Sequence, residues 1–451
     1  MKTLQISIEK NGVETPVGVL QGESGRDAVF TYNQDYLLHG EPISVSLPLQ
    51  STPFDAARTR CFFEGLLPEG FSRKAVAQWI HTDENDYLTI LAALGKECLG
   101  AIRILDQTEW DMKKQNEEGA AAAIVSSSDS PDIQGSYQKL SLGEVRALAA
   151  EGASKSTQLL VGSHLSLAGA SGKVGLYLHE GEWYQPFGSA PSTHIVKQSH
   201  VRLNHIVENE LLCTLAAAKL GLPTVRNSLI NTGNFTDSEI LLASARYDRD
   251  LIHAKRQIDG LPCPLRLHQE DFAQALGISS GSKYEPAGAG YLGRIFRLLR
   301  EVTSDPIRDE RRLLDLLIFD VLIGNTDNHI KNLSLLYQPD LCSAALAPAY
   351  DLICTVLYKG SSTEMSIAIA GEKRWDKISR QTFEAASSEI GISRRTIAEE
   401  WDRLSAGMSD ALESSLALLE EQGLAAARPV CRLILQKTSR FRSNALSDAL
   451  P

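Results

Sequence analysis

The chain has 451 residues, and 45 Lys and Arg stand against 56 Asp and Glu, a formal net charge of −11. That length allows two or three domains with full cores, and 43% hydrophobic with 22% charged residues is ordinary for a globular protein. The acidic balance argues against a protein that coats nucleic acid alone, and no apolar run approaches the ~20 residues that span a bilayer.

Residues 2–9 alternate like a strand, Asn11-Gly12 is a hairpin signal, and 16–20 read as the returning strand. This N-terminus has no apolar signal-peptide core, so the chain is expected in the cytoplasm, off the membrane. A strand at 28–32, helices at 58–66 and 86–94 and a strand at 101–105 complete a small α+β subdomain, residues 1–106. Residues 107–140 turn to Gln, Asn, Ser, Ala and acids and read as a solvated linker or insertion. Ser141 and Glu144 form a capping box ahead of a helix at 145–150.

Residues 141–250 are expected to form a second lobe. In 164–178 a strand, a Gly/Ala/Ser turn and a second strand make a hairpin whose small residues let a backbone approach phosphates. An ordinary glycine turn is the plain alternative. A nucleotide P-loop is excluded, because Leu167 stands where its first Gly belongs and Val174 where Ser or Thr must follow Lys173. The strand 193–197 ends in Lys197, an ammonium placed to grip α- and β-phosphates or simply a solvated strand end. Asn204 can cap the next helix, which closes at Gly221-Leu222-Pro223. Glu210 lies mid-helix beside the apolar stripe and could hold Lys197, as a helix glutamate holds the strand lysine in protein kinases. Strands at 225–230 and 239–243 lead to Arg246 and Asp248, which could also be a local ion pair.

From 251 to the end the pattern is mainly helical, with helices at 269–277, 290–301 and 308–323 and amphipathic helices over 381–440. Between the apolar run 313–323 and a short strand at 333–337 lies Gly324-Asn-Thr-Asp327-Asn-His329-Ile-Lys331-Asn332. An Asp followed five residues later by an Asn is the spacing of a phosphoryl-transfer loop. The Asp orients the attacking hydroxyl and takes its proton, and the Asn helps hold Mg²⁺ on the nucleotide. Asp351, after a hairpin, stands where the main metal-ligating carboxylate is needed. A surface turn is the bland reading of the loop alone. The seven cysteines are scattered without a C-x-x-C pair, so neither a cysteine zinc site nor a disulfide framework is suggested.

Taken in order, these pieces resemble the HipA-type toxin serine/threonine kinases of bacterial toxin–antitoxin systems over nearly the full length. They are Phe62–Gly70, Leu94-Gly95, Gly100-Ala101, Ser166-Leu-Ala-Gly-Ala, Thr193–Lys197, Asn209-Glu210, Leu220–Pro223, Arg246–Arg249, His268–Asp271, Ile323–Ser334 and Ala347–Asp351. The resemblance implies an α+β, bilobal protein-kinase-like fold with an extra N-terminal α+β subdomain and an all-helical C-terminal lobe (251–451). It implies ATP and Mg²⁺ as cofactors, Asp327 as catalytic base and Asn332 and Asp351 as metal ligands. Ala168, Gly169, Ala170, Ser171, Gly172 and Lys173 would cover the phosphates that Lys197 grips, with Glu210 behind it. Ala245, Arg246, Tyr247, His329, Lys331 and Tyr350 would line the nucleotide site. Ser166 matches the serine whose autophosphorylation switches the family off, and Ser171 competes with it.

Two positions depart from the family: Ser171-Gly172-Lys173 replaces its usual Gln-Glu-Lys, and Ala245 replaces a common hinge glutamate. The partners implied are a HipB-type helix-turn-helix antitoxin, operator DNA through that complex, and an aminoacyl-tRNA synthetase as substrate. Lys373, Arg374 and Lys377 fall where relatives carry basic residues near DNA. The alternatives are a small-molecule phosphotransferase of aminoglycoside- or choline-kinase type, and a catalytically silent scaffold for the antitoxin.

Overall fold

Asn11 and Gly12 both take left-handed backbone, φ 52° and 80°, which matches the twist a two-residue hairpin turn needs. They join β1 (Lys2–Lys10) to β2 (Val13–Gly22). The computed structural model describes residues 1–122, 135–151, 155–156, 159–160, 172–198 and 203–441. They fall into two units: 1–198 with 245–270 and 336–342, and 199–244 with 271–335 and 343–451. The helix and hairpin of 206–245 thus group chiefly with residues 271–335, whereas 141–250 was expected to form one lobe.

In the first unit β3 (Val29–Tyr32) and β4 (Ile102–Asp106) complete an antiparallel sheet of order β3-β2-β1-β4. Leu4, Ile6 and Ile8 of β1 are buried. α1 (Ala56–Phe63), capped by Asp55, sends Phe63 against Phe30, ring centroids 5.2 Å apart. α2 (Gly70–Trp79) and α3 (Tyr87–Leu94) follow, and the Asp86 side chain caps α3. The expected linker at 107 instead begins as a helix, α4 (Gln107–Ala122). Local polarity is overridden by anchors: Asp106 Oδ1 accepts from Glu109 N at 2.8 Å, Trp110 is buried, and Lys113 pairs with Glu14 at 2.7 Å.

β5 (Ser136–Lys139), the capped helix α5 (Leu142–Glu151), β6 (Lys173–His179), β7 (Glu182–Phe187) and β8 (His194–Gln198) follow. The strands lie in the order β5-β7-β6-β8, and the register sets Lys173 directly across from Lys197. The unit is also tied by buried charge. Arg246, Arg249 and Arg266 converge on Glu97, which accepts from Arg246 at 3.0 Å, Arg249 at 2.7 Å and Arg266 at 2.8 Å. Asp248 takes the other face of Arg246 at 2.7 Å and Glu9 pairs with Arg266 at 3.4 Å. Three buried guanidiniums meet three buried carboxylates, and a fourth, on the half-exposed Arg256, reaches Glu9 from the rim at 3.5 Å.

The second unit holds α6 (Ile206–Lys219), the hairpin of β9 (Asn227–Asn231) and β10 (Ile240–Ala245), α7 (Tyr291–Val302) and α8 (Pro306–Ile323). After short strands at β11 (Ser334–Tyr337) and β12 (Ala344–Leu346), a two-stranded hairpin, β13 (Glu364–Ile369) and β14 (Glu372–Arg374), interrupts the expected all-helical lobe. Short helices at 380–385 and 387–390 lead to α9 (Arg394–Glu421) and α10 (Ala427–Lys437), against which α6 packs. His205, not the expected Asn204, is the N-cap of α6, at φ 60°.

Candidate active site

α8 delivers the loop. Asp305 caps its start, Pro306 occupies the first turn, and Gly324 at φ 74° ends it in a left-handed cap. A Cβ on Gly324 would lie 2.5 Å from Val356 Cγ2, so both conformation and space call for glycine. Below the loop sits Asp320, fully buried on α8. Its Oδ1 accepts from Asn325 Nδ2 at 2.9 Å and its Oδ2 from Asn328 Nδ2, while its carbonyl accepts from Asn325 N at 2.8 Å. Burial, only partly offset by Asn328 and Asn325, pushes the Asp320 carboxyl up to about 7. Thr326 pins the middle of the loop: its N–H donates to Thr355 Oγ1 at 2.8 Å and its carbonyl accepts from Ser366 Oγ at 2.8 Å.

On this floor Asp327 is exposed. The Tyr284 hydroxyl donates to its Oδ1 at 2.8 Å, and its carbonyl accepts from His329 N at 2.8 Å. Asn332 Nδ2 donates to the same carbonyl at 3.4 Å, which leaves the amide oxygen as the atom of Asn332 a cation would take. His329 is buried and meets Tyr284 edge-on at 5.3 Å. Lys331 is buried and paired with Asp271 at 2.7 Å, and Asp271 also caps the turn at Phe272. Tyr350 donates to Lys331 O at 2.9 Å and bonds Ser334 Oγ at 2.8 Å, which sets the segment carrying Asp351 against the loop. Asp351 is half-buried at φ 59°. Asn332 and Asp351 both offer oxygen, the donor type Mg²⁺ requires, so the residues fit that ion.

Glu210 is buried on α6. Lys197, Gly172 and Lys173 lie half-buried in the first unit, with Ala245 and Tyr247, whose hydroxyl donates to Gln269. Arg246 corrects its expectation: the guanidinium is wholly buried between Glu97 and Asp248, so its side chain is structural, and its backbone N–H donates to Thr193 O at 2.9 Å. Ala168, Gly169, Ala170, Ser171 and Ser166 lie outside the described residues. Among the basic residues expected near DNA, Lys373 Nζ donates to Glu285 O at 2.9 Å, Arg374 pairs with Asp376 at 2.7 Å, and Lys377 is exposed. Sequence reasoning missed Asp320, Thr326 and Tyr284. Asp320 carried a usable signal, an acid inside the apolar run 313–323 that must find partners once buried. Tyr284, 43 residues upstream of Asp327, carried none.

A positioned aspartate, an asparagine five residues on and a following aspartate, on an α+β scaffold of this kind, define an enzyme of protein-kinase-like fold. Residues 165–412 match the HipA-like C-terminal domain and residues 12–105 the HipA N-terminal domain. The chain is 31% identical over 408 residues to the putative kinase Y4mE of Sinorhizobium fredii, covering 88% of this chain and 90% of that one. It is 24% identical to the serine/threonine-protein kinase toxin HipA of Shewanella oneidensis, covering 92% and 90%. It also superposes on a chain of the solved complex of HipA, HipB and operator DNA from Shewanella oneidensis MR-1. That match has a TM-score of 0.72 at 21% identity and covers 98% of this chain and 99% of the other. This chain therefore belongs to the HipA family of toxin kinases.

Proposed function

We propose that this protein is an ATP- and Mg²⁺-dependent serine/threonine protein kinase that acts as the toxin of a toxin–antitoxin pair. The observation that carries the reading is Asp327, an accessible carboxylate whose orientation is set by Tyr284 while Asn332 is tethered to its carbonyl. In this reading Asp327 takes the proton of a substrate hydroxyl as its oxygen bonds to the γ-phosphorus and the bond to ADP breaks. Mg²⁺, when bound, neutralises phosphate charge, and Asn332 and Asp351 are the residues that would hold it. Lys173 and Lys197, opposite one another on β6 and β8, place two ammonium groups on neighbouring strands, a pattern suited to a polyphosphate.

The match of residues 12–105 to the HipA N-terminal domain favours this reading over a small-molecule phosphotransferase. The partner would be a HipB-type antitoxin, with operator DNA reached through that complex and Lys373, Arg374 and Lys377 as contacts. An aminoacyl-tRNA synthetase would be the substrate, and its phosphorylation would inhibit translation. Phosphate at Ser166, about two negative charges beside the nucleotide phosphates, would switch the enzyme off.

Incubation with labelled ATP and Mg²⁺ should label both the chain and a protein in a lysate. Asp327→Asn should lower the rate by about 100-fold or more with the melting temperature unchanged. Undiminished labelling by that variant would overturn the assignment. Phosphopeptide mapping should find Ser166, and label confined to Ser171 would remove it.

A further inference from the structure

Away from the loop, at the start of α6, three metal-ligating side chains meet. One donor atom each from His205, Glu208 and Asp237 lies within 4.8 Å of the others. His205 Nδ1 is 3.1 Å from Glu208 Oε1 and 3.6 Å from Asp237 Oδ1. A tetrahedral zinc ion with ligands at about 2.05 Å sets them about 3.3 Å apart, between these two distances. Asp237 is held in place by its other oxygen, which accepts from His205 N at 3.1 Å.

Two carboxylates face one imidazole here. Glu208 is fully buried, its Oε2 has no hydrogen-bond partner, and Asp237 Oδ1 is a second buried oxygen without one. With both carboxylates ionised, even a protonated imidazole leaves one negative charge in excess, and orphaned carboxylate oxygens are costly to bury. The His205 and Asp237 side chains are 44% and 33% exposed, so an ion can enter from solvent.

We propose that His205, Glu208 and Asp237 form a site for Zn²⁺ or a similar divalent transition metal, with water in the fourth position. An imidazole with two carboxylates suits zinc better than Mg²⁺ or Ca²⁺, which prefer oxygen alone. The ion would tie the first turn of α6 to the turn between β9 and β10 and displace the Nδ1 proton or its hydrogen bond to Glu208. It uses none of the residues assigned to Mg²⁺ and does not depend on the kinase reading.

The test is calorimetric titration of the chelator-treated full-length chain with ZnCl₂ in millimolar Mg²⁺, beside a melting curve. One equivalent should bind with a Kd below about 10 μM and raise the melting temperature by several degrees. His205→Asn, which tolerates the left-handed backbone of that position, and Asp237→Asn should each lose at least about 100-fold in affinity and abolish the rise. Asp351→Asn should bind zinc like the parent. X-ray absorption should find nitrogen and oxygen ligands near 2.0–2.1 Å and no sulfur. Failure of the parent to bind, unchanged binding by both site variants, or loss of binding in Asp351→Asn would each overturn the site.

Discussion

Glu97 in the first unit and Asp320 in the second are both fully buried acids, yet they sit in opposite surroundings. Burial alone would favour the neutral form of each. Around Glu97 the cost of burial is outweighed by Arg249, Arg266 and Arg246, and its carboxyl is held below the usual range. Around Asp320 burial wins over the amides of Asn328 and Asn325, and the carboxyl rises to about 7. Charged partners therefore keep a buried carboxylate ionised, while neutral donors only position it. The first arrangement is a brace, and the second is a floor for a loop that titrates near neutral pH.

Removing charge from the brace should have the largest effect. Glu97→Gln leaves three guanidiniums facing two carboxylates and should cost roughly 3–5 kcal/mol in denaturant unfolding. A loss under about 1 kcal/mol would mean the arginines find other acceptors. Asp320 behaves differently with pH. Its value is higher folded than unfolded, so its stabilising contribution is complete below about pH 4 and fades as pH rises through about 7. Relative to Asp320→Asn, the parent should therefore lose stability across that window by up to about 1.4 kcal/mol per pH unit, then level off. Parallel stability curves for the two proteins would remove the proposed titration.

Tyr284→Phe deletes one hydrogen bond to an exposed carboxylate. It should lower phosphotransfer about 3- to 10-fold with little change in melting temperature, an activity effect the brace cannot produce. The smallest effect is expected at Arg374→Ala, whose pair with Asp376 is exposed on both sides. Its stability should change by less than about 1 kcal/mol. Any loss of DNA retention by the antitoxin complex in that variant would then report on contact and not on folding.

Local chemistry made much of this legible. Asn11-Gly12 announced its hairpin, Ser141 and Glu144 their helix start, and the run before Gly324 the helix that carries the loop. Asp327, Asn332 and Asp351 fall in one unit. What stayed hidden depended on distant partners. Arg246 read as a nucleotide-site residue or a local pair with Asp248; the pair is there, but Glu97, 149 positions earlier, was not visible from its own neighbourhood. Residues 107–122 read as solvated because the acid that meets Lys113 is Glu14. His205 replaced Asn204 as the cap because its left-handed backbone is supported by Asp237 from a separate hairpin.

The positive φ at Asp351 restricts what that position can become. A branched side chain would be forced into a backbone well it rarely tolerates, and even alanine would add conformational cost to the loss of the carboxylate. Asparagine visits this region readily and nearly preserves the shape. An alanine variant would thus mix a folding defect with a chemical one, whereas Asp351→Asn isolates the charge.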